Sequence, residues 1–372
     1  MSFNRRQALG IFAGAVVAGV GEFFTPASAA PARALKNGVD ISWLPDVEKA
    51  GGVFTDAKGI KRDSIRLLKD AGVRVGRIRV WIDAADGAHS TADAIKLGRR
   101  LKSQGLEVCV DLHFSDTWAD PAHQTLPAKW QDKSFEDLVV AVEDYTYQTL
   151  SAFVAAGVRP QWVQLGNEIT NGFLWPHGRI NSDSPSQWRA FVALHNAASK
   201  SLKRVLPAAK SVVHLDCGGD AARVRWWLQQ AVKYQLAGIN VIGLSYYSQW
   251  HGSLLQLSRT LDVVAREFRL PVVIAETAYP WTERRFGSDV IDISKARLSG
   301  FSLSKAGQAA YVRKLSWMLR RLPAGRGLGL WWWEGLTMQV KSANGTLQRP
   351  SVVTNSALVD LYGRENPALR EL

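Results

Sequence analysis

Only two cysteines, Cys109 and Cys217, occur in the 372 residues. A disulfide-stapled scaffold is excluded, and a cysteine-rich metal site with it. Cys109 falls in an apolar strand and Cys217 follows another, and the reading favours two unpaired thiols. Long basic runs are also missing. Lys and Arg outnumber Asp and Glu by 46 to 33, a formal net charge of +13. They are scattered among acids along helix-like stretches, as on solvated helix faces, and no nucleic-acid reader motif is present. No glycine-rich phosphate loop follows the first strand, and no G-x-S-x-G elbow, EF-hand loop or paired-histidine motif occurs. Nucleotide, Ser-His-Asp and common metal chemistries thus lack their signatures. The expectation is no cofactor and no metal.

Apolar runs of membrane-spanning length are absent beyond the N-terminus. At the N-terminus itself, Arg5-Arg6 precedes a small, apolar run from Ile11 to Val20, then Ala27-Ser28-Ala29. That is the pattern of a twin-arginine export signal over residues 1–29. Export to the periplasm or the medium is expected, with no membrane attachment once the signal is removed. Residues 30–372 remain as one large α/β domain. Mean hydropathy is −0.09 and there are 15 tryptophans, which together argue for a packed core.

One pattern recurs along that domain: a helical stretch, a glycine, then a β-rich run. Ala71-Gly72 precedes Val73–Trp81, Gly105 opens Leu106–His113, Ala156-Gly157 leads to Trp162–Glu168, and Ala237-Gly238 leads to Ile239–Tyr247. A glycine just past a helix lets the chain turn back, and repetition of the unit implies parallel strands with crossover helices. Eight strands are expected: 38–42, 75–81, 106–113, 162–168, 211–216, 239–247, 271–276 and 327–333. Eight such units predict a closed (β/α)₈ barrel in a single domain. An open doubly wound sheet is the alternative, but it would carry a phosphate loop after its first strand.

The strands are apolar until their C-terminal ends, then turn polar or aromatic. Arg79 and Trp81, Asp111 and His113, Asn167 and Glu168, Asp216, Tyr246 and Tyr247, Glu276, and Trp331–Trp333 all fall there. In a (β/α)₈ barrel these ends meet on the one face that carries active sites. Glu168 and Glu276 end the fourth and seventh strands and are expected to face each other across the mouth. Two carboxylates about 5 Å apart suit a double displacement at an anomeric carbon. Glu276 would attack, and Glu168 would hold a proton through a raised pKa. Arg79 is expected to keep Glu276 ionised, and Asn167 to bind the sugar 2-hydroxyl. Trp81, Trp118, Trp175, Trp250, Trp281 and Trp331–Trp333 offer faces for sugar stacking, with Trp332 the best candidate for core.

At these residues the chain resembles glycoside hydrolase family 53, the arabinogalactan endo-β-1,4-galactanases. The resemblance runs from Gly38-Val-Asp-Ile-Ser42 through Arg77-Ile-Arg-Val-Trp81 to Asp111-Leu-His-Phe-Ser-Asp-Thr-Trp-Ala-Asp-Pro121. It continues through Gly166-Asn-Glu-Ile169, His214-Leu-Asp216, Ser245-Tyr-Tyr247, Ala275-Glu-Thr-Ala-Tyr279 and Gly329-Leu-Trp-Trp-Trp-Glu334. It implies endo-hydrolysis of β-1,4-galactan with retention, Glu168 as acid/base and Glu276 as nucleophile. It further implies substrate contacts from Arg79, Trp81, His113, Asp116, Trp118, Asn167, Asp216, Tyr247, Trp250 and Trp333. Tyr247 is preferred to Tyr246 because Leu244 and Tyr246 share the face that meets the helices. The chain departs from the pattern at Ser248-Gln249, at Gly335-Leu-Thr-Met338 and in the loop Thr282–Asp289, which is poor in calcium ligands. Another β-linked polysaccharide, or a non-catalytic glycan-binding barrel, is the alternative reading. The expected partner is a polysaccharide, β-1,4-galactan either free or still attached to anionic pectin, and the chain is expected to act as a monomer.

Overall fold

The hydrophobic runs form eight strands: β1 (Gly38–Asp40), β2 (Val75–Val80), β3 (Glu107–Leu112), β4 (Trp162–Leu165), β5 (Lys210–Leu215), β6 (Val241–Ser245), β7 (Val272–Thr277) and β8 (Gly327–Trp332). They pair in parallel in the order β1-β8-β7-β6-β5-β4-β3-β2 and close into a barrel. The expected (β/α)₈ architecture is therefore the observed one, and all eight expected strands are present. The computed structural model describes residues 34–286, 289–296, 299–341, 347–348 and 353–372. The export signal expected over residues 1–29 lies outside the described residues. The described residues belong to one compact unit.

Helices return the chain between most strands: α1 (Ser64–Asp70), α2 (Thr91–Ser103), α3 (Phe135–Ala155), α4 (Pro185–Val205), α5 (Ala221–Lys233), α6 (Leu254–Asp262) and α7 (Lys305–Arg320). Their starts are set by local chemistry. Ser90, Ser134 and Ser304 each accept a hydrogen bond from a first-turn backbone N–H, and Ser253 with Gln256 forms a full capping box. The glycines of the recurring unit, Gly72, Gly105, Gly157 and Gly238, all take positive φ, between 71° and 104°. A side chain would be strained in each of those turns.

Strand alternation divides the core in two. Outward residues such as Ile78, Val80, Val110, Leu112, Ile274 and Trp332 pack against the helices. Inward residues Val75, Cys109, Trp162, Val212, Val241, Val273, Ala275, Leu328 and Trp331 fill the lower barrel. Trp162 and Trp331 meet edge to face there at 5.6 Å. This plug is dry and apolar, so the polar residues higher on the same inward faces sit on a packed floor. The C-terminus seals the opposite end: Asn37 Nδ2 donates to the Leu372 carbonyl at 2.7 Å, and Leu330 N donates to Asn37 Oδ1.

Two departures from regular geometry matter for the site. The β6–β7 register moves from Leu244 opposite Ile274 to Ser245 opposite Glu276, so β7 carries an extra residue at Ala275. Val273 and Ala275 already face inward, so simple alternation would send residue 276 outward into the helix layer. The bulge turns Glu276 back to the mouth. Glu168 follows β4 in a left-handed conformation, φ 50° and ψ 49°. That conformation costs a non-glycine residue roughly 1–2 kcal/mol, held here by the surrounding packing.

Because Trp331 is fully buried in the plug, Trp331→Ala should destabilise the fold by about 3–5 kcal/mol in urea unfolding. A loss below about 1 kcal/mol would mean that the lower barrel is not close-packed.

Candidate active site

The centre of the site is one guanidinium. Arg77 points inward from β2, fully buried. Its Nη1 donates to Asp40 Oδ2 at 2.7 Å, and its Nη2 lies 2.8 Å from both Asp111 Oδ2 and Glu276 Oε1. Nη2 also reaches Asn167 Oδ1 at 2.9 Å, and Nε donates to Gln164 Oε1 at 3.1 Å. A buried cation needs this many partners, and three buried carboxylates need this cation. Glu276 is held from its other oxygen by the Tyr247 hydroxyl, which donates to Oε2 at 3.0 Å. Tyr246 points elsewhere, donating to the Gly252 carbonyl, so the preference for Tyr247 agrees with the structure. Glu168, partly exposed, accepts from the Ser245 hydroxyl. It lies close enough to Glu276 and Asp216 to feel both charges.

Arg79 does something other than expected. It makes no contact with Glu276 among the described residues. Its Nη1 donates to Glu334 Oε1 at 3.1 Å, and its Nη2 lies 3.1 Å from His89 Nε2. Its guanidinium carbon sits 4.0 Å from the Trp118 ring centroid, 5.4 Å from Trp81 and 6.0 Å from Trp43. Two residues further along β2 than Arg77, it is too far along the strand for Glu276 and instead supports tryptophans. Those rings continue a wall along the mouth. Trp43, Trp118, Trp333, Tyr247 and Trp250 follow one another at centroid distances of 5.7, 6.1, 6.2 and 5.0 Å. Beyond Tyr247, a cleft of about 540 Å³ is lined by Asp216, Trp250, His251, Gln256 and Arg259, among others.

Residues 36–372 match the model of glycosyl hydrolase family 53. The chain belongs to that family. It is 34% identical over 325 residues to a probable arabinogalactan endo-β-1,4-galactanase A of Neosartorya fischeri, covering 84% of this chain and 87% of the relative. The catalytic domain of a family 53 protein from Ignisphaera aggregans superposes with a TM-score of 0.84 at 30% identity, covering 91% of this chain and 95% of that one. A structure described as one of two fungal β-1,4-galactanases gives a TM-score of 0.78 at 28% identity, covering 91% and 99%.

The family 53 barrel sets different proton affinities on its acids. Burial pushes the Glu168 carboxyl well above the usual range, and the Glu276 and Asp216 charges add to the effect. Burial raises Glu276 as well, but the Arg77 guanidinium opposes it. Glu168 is therefore the member of the pair that keeps a proton, as the sequence suggested. Asp111 would also be raised by burial, yet Arg77 and His113 bring it down to about 2. Burial lowers His113, which stays neutral with Nε2 2.9 Å from Asp111. At the far side, burial and the Asp40 charge push Glu334 up to about 8, against the pull of Arg79.

Of the residues singled out from the sequence, Glu168, Glu276, Asn167, His113 and Tyr247 come together around Arg77. Trp81, Trp118, Trp250 and Trp333 form or back the wall, and Asp216 borders the cleft. Asp116 is turned away, its Oδ2 accepting from Ala128 N at 2.8 Å. Trp281 donates to the Thr354 carbonyl, Trp175 donates to the Asn171 carbonyl, and Trp331 and Trp332 are fully buried. Cys109 and Cys217 are free thiols. Asp289 spends its carboxylate on the backbone N–H groups of Phe286 and Asn355, and among the described residues no acidic or histidine cluster is placed to hold a metal. Sequence reading missed Arg77, Asp40, Gln164, Trp43, His214, Ser245 and Glu334 as site residues. Arg77 shares a strand face with Arg79, which was the signal available for it.

Because Arg77 opposes the burial of Glu276, Arg77→Lys should move the acidic limb of the kcat/KM profile to higher pH. The lysine keeps a charge but cannot span the same partners. Arg79→Lys should leave that limb in place and raise KM. The reverse pattern would restore the first expectation for Arg79.

Proposed function

We propose that this chain is an endo-acting, retaining β-1,4-galactanase with Glu276 as nucleophile and Glu168 as acid/base. The observation that carries the reading is the contrast between two facing carboxyls. One is pinned and charge-balanced by Arg77 and Tyr247; the other is desolvated, partly accessible and proton-retaining. The substrate is supported by family membership and by the galactanase names of the relatives.

In the first step Glu276 Oε attacks the anomeric carbon as the glycosidic C–O bond breaks, and the Glu168 proton passes to the leaving oxygen. The Tyr247 hydroxyl and Arg77 hold the attacking carboxylate in position. In the second step Glu168, now ionised, removes a proton from water, whose oxygen attacks the same carbon and releases Glu276. Asn167 Nδ2 donates to the Ala119 carbonyl at 2.8 Å. That bond orients the amide, and the reading gives its second hydrogen to the sugar 2-hydroxyl. The tryptophan wall offers several adjacent ring faces, which suits a polymer bound in mid-chain.

On soluble β-1,4-galactan the chain should release oligosaccharides whose fresh anomer, by NMR, is β. Glu276→Ala should lower turnover by roughly 10³-fold or more while sugar binding survives. Cleavage of xylan or mannan but not galactan would overturn the substrate, and a fresh α anomer would overturn the mechanism.

We further propose, on the sequence of residues 1–29, export by the twin-arginine route, with the mature enzyme acting outside the cytoplasm as a monomer. Arg5→Lys with Arg6→Lys should hold the folded precursor in the cytoplasm of a bacterial host. Undiminished export of that variant would rule the route out.

A further inference from the structure

The steps above leave two buried polar side chains without a task. His214 projects inward from β5 and Ser245 ends β6, and both are fully buried. They form a chain to the acid/base. His214 Nε2 lies 2.9 Å from Ser245 Oγ, and Ser245 Oγ lies 2.5 Å from Glu168 Oε1. Burial, with the Arg77 charge, pushes His214 well below its ordinary range, so the ring is neutral and carries a single N–H.

Which nitrogen holds that hydrogen decides the direction of the whole chain. Two groups near Nδ1 can only donate. The backbone N–H of Glu168 points at it from 3.4 Å. The Gln164 amide nitrogen lies 3.1 Å away, and its orientation is set because Gln164 Oε1 accepts from Arg77. The acceptor beside Nδ1, Asn167 Oδ1 at 2.9 Å, is engaged by Arg77 Nη2, and the Gln164 amide has one hydrogen on Asp111 Oδ1 at 2.7 Å and the other free to turn to Nδ1. Nδ1 is therefore the acceptor and Nε2 carries the hydrogen. Nε2–H then donates to Ser245 Oγ, and the one hydroxyl hydrogen of Ser245 must go to Glu168 Oε1. No described protein group hydrogen-bonds Oε2.

We propose that His214, acting through Ser245, fixes Glu168 Oε1 as a permanent acceptor and so confines the catalytic proton to Oε2. Both are positioning residues. The arrangement serves both steps: the acid proton sits on the oxygen left open to substrate, and the donated hydrogen bond stabilises the carboxylate once that proton has gone. The inference rests on Glu168 being the acid/base.

The test is the pH dependence of kcat/KM for Ser245→Ala, Ser245→Cys and Ser245→Thr. Each is assayed on β-1,4-galactan and on 2,4-dinitrophenyl β-galactobioside, whose leaving group needs no proton. Loss of a hydrogen bond to the charged form raises the Glu168 pKa. Ser245→Ala should therefore move the alkaline limb up by about one pH unit and cost about tenfold on galactan. The loss should be smaller on the aryl substrate. Ser245→Thr should be close to wild type, and Ser245→Cys, a weak donor of similar size, should fall between. An alkaline limb that stays put or moves down, or equal losses on both substrates, would overturn the proposal. Failure of the underlying assignment reads differently: Glu168→Ala would lose as much on the aryl substrate as on galactan.

Discussion

A single buried cation holds the chemistry of this barrel together. Asp40 from β1, Asp111 from β3 and Glu276 from β7 converge on the Arg77 guanidinium. Without that cation each would be a buried carboxylate lacking a counter-charge, an arrangement that costs several kcal/mol. Arg77 is caught in the same way, since its burial is tolerable only with anions around it. The cluster is thus a mutual constraint on side chains from different strands, and it fixes where Glu276 can sit. It also separates the two glutamates. Glu276 shares in the cation, while Glu168 receives a hydroxyl donor and the repulsion of Glu276 and Asp216. The same burial raises both, and the difference in partners raises Glu168 further.

The fold supplies what that cluster needs. The apolar plug of Trp162, Trp331 and their neighbours keeps water from reaching the charges from below. Irregular backbone at the strand ends aims the acids. Glu168 and Glu334 both take left-handed conformations just past their strands, and a bulge turns Glu276. Regular strand geometry builds the floor, and departures from it build the site. The tryptophan wall belongs to a second cation, Arg79, which packs beneath Trp118 and answers to Glu334. Two inward arginines on one strand thereby serve two functions, one electrostatic and one mechanical.

Much of this was legible in the residues. The glycines after helices marked the repeating unit, and the polar switch at strand ends marked the face and both glutamates. Trp332 was correctly placed in the core, and Tyr247 was separated from Tyr246 by alternation alone. Depth along the barrel axis was not legible. Arg77 and Arg79 share a face and differ by about 6–7 Å of rise, and only the register with β1 and β3 decides which carboxylates each can reach. Glu276 was expected at the mouth and lies there, yet alternation from Val273 and Ala275 would have sent it to the helices. The bulge that rescues it has no glycine or proline to announce it. The Asp116 carboxylate folds back on the Ala128 turn, a contact invisible without the path of the loop after β3. His214 and Ser245 were passed over because a lone polar residue in a strand is usually a satisfied core group.

The most direct measurement is covalent trapping of the glycosyl-enzyme with a 2-deoxy-2-fluoro-β-galactobiosyl fluoride, followed by mass spectrometry of the labelled peptide. The account predicts one label per chain, on Glu276, because that is the carboxylate Arg77 and Tyr247 hold and whose rise on burial Arg77 opposes. A label on Glu168 or Glu334, or inactivation with no covalent adduct at all, would contradict it.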